Sequence, residues 1–210
     1  MPKSATRQTL DEVIAAITPT LLAAGYTKSA RNFHSESSGV VRLVQVETSQ
    51  LEKPDQACFT INLSVTSPKF HEAYTQKPFP KNIGSAEPVV QTTLGKLLPE
   101  GDDVWWPVEP DKVHLIIKDL GAALETHGLP FLARFPSEDA LLAALEGKAP
   151  PPGFSAMRER CRAVLLAARG RKAEALQALQ GMIDANQGEA LTGFRDSLHD
   201  LAHRLGLVEP

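Results

Sequence analysis

Only two of the 210 residues are cysteines and only two are tryptophans. Cys58 and Cys161 lie about a hundred residues apart, in neither metal-ligating nor redox spacing. A disulfide scaffold or zinc finger is therefore excluded, each thiol is expected to be a small buried hydrophobe, and a reducing, cytoplasmic compartment fits. Charge of one sign is lacking too: 22 basic residues stand against 25 acidic ones. That balance lacks the basic excess of a dedicated nucleic-acid or membrane-surface binder. No uninterrupted run of some 18 apolar residues exists, so no membrane span is expected. The basic start that turns apolar fails as a signal peptide, because Asp11, Glu12 and Pro19 interrupt the run. Glycine-rich phosphate cradles are missing, both the dinucleotide and the Walker pattern. Residues 153–157, GFSAM, lack the second glycine of a nucleophile elbow. No cofactor and no metal is expected.

What is present is periodicity. Leu10, Val13, Ile14, Ile17, Leu21 and Leu22 follow helical spacing, with a capping box at Thr9 and Glu12 and a stop at Gly25. Residues 40–48, VVRLVQVET, read as a strand. So do residues 58–65, where Phe59, Ile61, Leu63 and Val65 alternate with Cys58, Thr60, Asn62 and Ser64. Such alternation favours antiparallel pairing. Residues 67–88, with four prolines, read as a long surface loop, followed by an extended segment near 89–98. A helix is expected from Pro110, carrying Val113, Ile116, Ile117, Leu120, Leu124 and His127 and stopping at Gly128, with His127 favourably placed at the dipole's negative end. Ser137 should cap another helix that ends at Gly147. Residues 148–153, KAPPPG, form the best linker. Beyond it three helices carry Met157 to Ala168, Leu176 to Ile183 and Leu191 to Leu205.

The expected organisation is thus residues 1–147 as an α+β domain, a proline-rich linker at 148–153 and an α-helical extension at 154–210. The fold class is α+β: an antiparallel sheet of about four strands covered by helices, then a small three-helix segment.

Chemistry is harder to find. His199 and His203 share a helical face, but Asp200 stands where a zinc protease needs glutamate and no third ligand follows. Asp102, Asp103 and Glu109 flank the tryptophans and read more simply as turn residues than as an acid–base pair. Arg158, Arg162, Arg169 and Lys172 belong to a basic patch that could grip phosphates, although no aromatic residues interleave it. Trp105 and Trp106 are adjacent. In extended chain one indole should enter the core while the other faces outward near Asn62 and Gln45. The sequence leaves open which is which.

The segments at 23–34, 43–49, 57–65, 94–111 and 124–135 form an ordered set: Gly25 with Tyr26, Gln45, Phe59 to Leu63, Leu94 with Gly95, Trp105 with Trp106, and Leu129 to Leu132. In that order they resemble domain of unknown function family 4304, a bacterial family, over roughly residues 8–145. The resemblance implies a compact α+β domain with an antiparallel sheet covered by helices, and it transfers no activity. Here VVQTTLG departs from the arginine more usual before the family's LG element.

The function expected is therefore a cytoplasmic, non-enzymatic protein-interaction or regulatory module, of a kind found beside bacterial toxins and conflict systems. Its partner would be a protein or peptide, held by Trp105 or Trp106 with Gln45 and Asn62. The alternative is a hydrolase-type enzyme with a site between loop 67–88 and the tryptophans. A weaker alternative is nucleic-acid binding through the stripe from Arg158 to Lys172.

Overall fold

The computed structural model describes residues 4–49, 57–147 and 157–208. The chain divides into two compact units: residues 1–37, 41–65 and 91–135 form the first, and 38–40, 66–90 and 136–210 the second. Residues 66–90 and 136–147, which the sequence groups with the first domain, thus count with the second unit. The linker at 148–153 and most of the 153–157 stretch lie outside the described residues.

The first unit begins with α1, Ala5–Ala23. Its N-cap is Ser4, whose side chain accepts a hydrogen bond from Arg7 N. Thr9 is therefore not the cap: it sits inside the helix, with its hydroxyl donating to Ala5 O. Leu10, Val13, Ile14, Ile17 and Leu21 are buried as their spacing requires, but Leu22 is 51% exposed. A position one residue beyond Leu21 is rotated about 100° off the buried stripe. The helix stops where expected, with Gly25 in the left-handed region at φ 83°. Tyr26 N and Gly25 N close the end on Leu21 O and Leu22 O.

A six-stranded sheet follows, two strands more than the sequence suggests. Its strands are β1 (Thr27–Ser29), β2 (Asn32–Ser37), β3 (Val40–Ser49), β4 (Cys58–Thr66), β5 (Val90–Thr93) and β6 (Trp106–Pro107). The order is β1-β2-β3-β4-β5, and β6 also pairs with β4. The extra strands β1 and β2 form an antiparallel hairpin in which Lys28 faces Phe33. Its turn uses Ala30 at φ 53°, a non-glycine residue in the left-handed region. Phe59, Ile61, Leu63 and Val65 of β4 are all fully buried.

Two helical stretches of this unit, α1 and the helix α3 (Val113–Ala123), pack side by side. Just beyond the end of α3, Glu125 accepts a hydrogen bond from the Thr20 hydroxyl of α1 at 3.3 Å. After α3 the chain does not stop at Gly128. It makes a π-helical turn, Leu124–Gly128, and continues as α4, Leu129–Ala133. His127 accordingly lies within a continuous helix and not at a helix C-terminus.

In the second unit, residues 67–88 are not all loop. Pro68–Thr75 form a helix, α2, in which Ser67 accepts from Phe70 N at 3.0 Å and Pro68 occupies the first turn. Proline is at home there because the first helical amides lack intrahelical partners anyway. Helix α5, Glu138–Glu146, is capped by Ser137 and ends at Gly147, as the sequence implies. The three C-terminal helices are α6 (Arg158–Ala168), α7 (Lys172–Ala185) and α8 (Thr192–Arg204). Helix α6 packs on α2, α5 and α7, and α8 on α7. No helix among the described residues is long and apolar enough to cross a membrane.

Candidate functional site

The tryptophan segment is held at four points, all in the first unit. After β5 the chain makes a 3₁₀ turn over Gly95–Leu97. The returning backbone of residues 102–104 then crosses directly above Gly95. A Cβ on Gly95 would lie 2.4 Å from Val104 N and 2.7 Å from Asp102 O, so only glycine fits. The Thr93 hydroxyl donates to the Asp103 carboxylate at 2.7 Å. The Thr60 hydroxyl donates to Val104 O at 2.9 Å. Finally Val108 N donates to Ala57 O at 2.8 Å, just beyond the pairing of Phe59 with Trp106 and Cys58 with Pro107.

That register decides which indole goes where. Residues paired across antiparallel strands project to the same face, so Trp106 joins Phe59 on the core side. Its ring stacks on Phe59 with centroids 5.9 Å apart, and only 9% of the residue is exposed. Trp105 is turned to the opposite face and is 39% exposed. Continuing the register by one residue sets it level with Thr60, on the face that carries Cys58 and Asn62. Asn62 donates to the Glu47 carboxylate of β3, which puts Glu47, and two residues earlier Gln45, on that same face. Trp105, Asn62 and Gln45 therefore share one side of the sheet, and Trp106 lies on the other. The flanking acids are engaged locally: Asp103 with Thr93, and Glu109 with Lys112 at 2.7 Å.

On the core side, Trp106 borders an open cleft of about 350 Å³. Leu98, Val104 and Ala123 supply its apolar surface, while Asp119, Thr126 and His127 bring polar groups. The last two sit on the π turn. The close fit there is set by Gly128, whose Cβ would meet Leu94 Cδ1 at 3.1 Å and Leu124 Cδ2 at 3.3 Å. The π turn holds one residue more than an α turn and thereby presents Thr126 and His127 at the cleft. Such turns recur at functional sites, and no periodicity in the sequence announces this one.

The basic patch lies in the second unit, where its members bind internal acceptors. Arg158 donates to Leu145 O at 2.7 Å and to Gly147 O, closing the C-terminal end of α5. Arg162 pairs with Glu159 at 3.0 Å, Arg169 with Asp139, and Lys172 donates to Gly206 O at 3.2 Å. Between them, Arg171 pairs with Glu174 at 2.5 Å and Glu146 at 3.4 Å. His199 and His203 are both exposed on α8, and no group of three or more metal-ligating side chains forms among the described residues. Cys161 is buried in α6, and that burial pushes its thiol up to about 12. It is not a nucleophile at neutral pH. Cys58 is half-buried and free.

No curated protein and no solved structure matches the chain. A family model does match, that of a domain of unknown function, DUF4304, over residues 17–134. The matched stretch contains Gly95, both tryptophans and the π turn, and it ends before the helices from α5 onward. Since it covers more than half of the chain, the protein belongs to the DUF4304 family, with additional C-terminal helices beyond the family domain.

Proposed function

We propose that the family domain is a non-enzymatic binding module that takes a protein or peptide partner, with Trp105 as its aromatic anchor. One observation carries this reading: a large indole stands exposed on a segment whose backbone is fixed by Gly95, by two side-chain hydrogen bonds and by strand register. Fixing an exposed tryptophan in advance lowers the ordering cost of association, and tryptophan is the residue most enriched at interface hot spots. Asn62 and Gln45 supply amides on the same sheet face, the Asn62 amide being bonded to Glu47. The arginine stripe supports a nucleic-acid reading less well, because its members already meet carboxylates or carbonyls.

The test is capture of partner proteins by the wild type beside Trp105→Ala, a change at an exposed position, with folding checked by circular dichroism. A protein retained by the wild type and lost with the folded variant supports the anchor. Identical sets of retained proteins refute it.

A hydrolase-type reading draws on a different observation, the presence of Asp119 and His127 along one cleft beside Trp106. An imidazole and a carboxylate are the groups general acid–base chemistry uses. Turnover of activated esters that disappears in His127→Ala but survives in Trp105→Ala would favour that reading over the binding module.

A further inference from the structure

The second unit holds another cleft, of about 510 Å³, whose lining is Arg160 of α6 with Ser197, Asp200, His203 and Arg204 of α8. We infer that this cleft binds a small phosphate-bearing anion. The inference is independent of the reading given to Trp105, which lies in the other unit.

Four residues of α8 line it because 197, 200, 203 and 204 fall on one helical face. The fifth, Arg160, comes from a different helix and is held by Tyr74 of α2: its guanidinium carbon lies 5.4 Å from the ring centroid. Tyr74 is itself stacked on Phe70, with centroids 5.5 Å apart and planes 8° from parallel. Arg204 is fixed by the same residue, donating from one guanidinium nitrogen to Tyr74 O at 3.0 Å. Both guanidinium groups are thus pre-positioned by contacts that use a ring face or a single nitrogen. Among the described residues, their other guanidinium N–H groups meet no acceptor.

The charge balance says what would meet them. Arg158, Arg162, Arg169 and Arg171 each have a carboxylate within 4 Å. Arg160 and Arg204 have none among the described residues. Two guanidinium groups line the cleft with one carboxylate, Asp200, so it carries excess positive charge. Ser197 donates its proton to Phe194 O at 2.7 Å, so its oxygen remains as an acceptor for a ligand hydroxyl. A phosphate dianion presents several acceptor oxygens to planar guanidinium forks, the geometry arginine serves best. The cleft is larger than bare phosphate and has room for the organic part of a phosphomonoester.

The experiment is titration of the full chain with inorganic phosphate, ribose 5-phosphate and ribose, followed by ¹H–¹⁵N NMR and calorimetry. Saturable shifts centred on residues 160 and 197–204 with the phosphates, and none with ribose, support the site. Tighter binding of ribose 5-phosphate assigns a phosphomonoester; equal binding assigns free phosphate. Arg160→Gln and Arg204→Gln should each weaken binding roughly tenfold or more, the range for a lost charged hydrogen bond. Absence of saturable binding to the wild type, shifts centred elsewhere, or undiminished binding in both folded variants overturns the inference.

Discussion

Replacing Gly95 by alanine tests the most constrained contact in the family domain. Gly95 does not owe its identity to backbone conformation, since it is absent from the positive-φ glycines. The whole cost therefore comes from the added methyl. Its carbon would stand 2.4 Å from Val104 N, 2.7 Å from Asp102 O and 2.8 Å from Val104 Cβ. Backbone on both counts cannot swing aside as a side chain end can, so residues 102–104 must retreat by about 1 Å to reach ordinary contact. That displacement breaks the bonds from Thr60 to Val104 and from Thr93 to Asp103, worth about 1 kcal/mol each. Overpacking of the retained contacts adds a further ~1 kcal/mol or more, giving a loss of about 3 kcal/mol. Both indoles belong to the first unit, so urea unfolding followed by tryptophan emission reports that unit without interference from the other. Gly121→Ala is the matched comparison: nothing lies within 4 Å of its added carbon in α3, and helix propensity should make it stabilising by ~0.5–1 kcal/mol. A Gly95→Ala protein within about 0.5 kcal/mol of wild type, the range of inconsequential surface changes, would show that the crossing backbone does not fix the tryptophan segment.

The two tryptophans should separate cleanly. Trp106→Ala is expected to cost ~3–5 kcal/mol, as for buried aromatics generally, whereas Trp105→Ala should stay within about 1 kcal/mol; acrylamide should quench the indole left in Trp106→Phe and spare the one left in Trp105→Ala. Cys161 should resist iodoacetamide at pH 8 until denaturant is added, as read by mass spectrometry. Burial, then the Glu87 charge, raises its thiol from 9.0 to about 12, with Arg160 opposing. An acid whose folded value lies above its unfolded one contributes stability that is intact below pH 9 and is lost as pH climbs toward 12. Midpoints measured from pH 8 to 11 should therefore fall, and by less in Cys161→Ala.

The sequence spoke most clearly where one periodicity ran long enough to be counted. The stripes of α1 and of the C-terminal helices, and the alternation in β4, needed no tertiary information. The hairpin of β1 and β2 was invisible because its buried positions, Phe33 and Ser35, include a polar one, and its turn takes Ala30 in place of the glycine that would have flagged it. Helix α2 was concealed by counting prolines as loop formers. Ser67 followed by Pro68 was in fact a legible start signal, a capping hydroxyl and then a first-turn proline. At the tryptophans, the alternation of strand faces foretold one indole in and one out. Which was which depended on pairing register with β4, a contact some 47 residues away in the chain. The cleft in the second unit was least legible of all. It joins side chains from α6 and α8 beside Tyr74, and its sequence traces, His203 of HDLAH and Arg160 within the basic stretch, read as parts of two unrelated solvated helix faces.

The π turn at Leu124–Gly128 also has a bearing on how this helix tolerates change in length. A π turn closes on i→i+5 hydrogen bonds and so fits one residue more into a single revolution than an α turn does. Removing one residue from 124 to 127 would let the helix close as an ordinary, well-bonded α-helix with Phe131 and Leu132, both now buried, still aimed as before. The same deletion in α3, where each residue advances the azimuth by about 100°, would re-aim everything downstream of it. The family domain thus contains one slack turn, where the helix can give up a residue at the cleft without losing its register with the core.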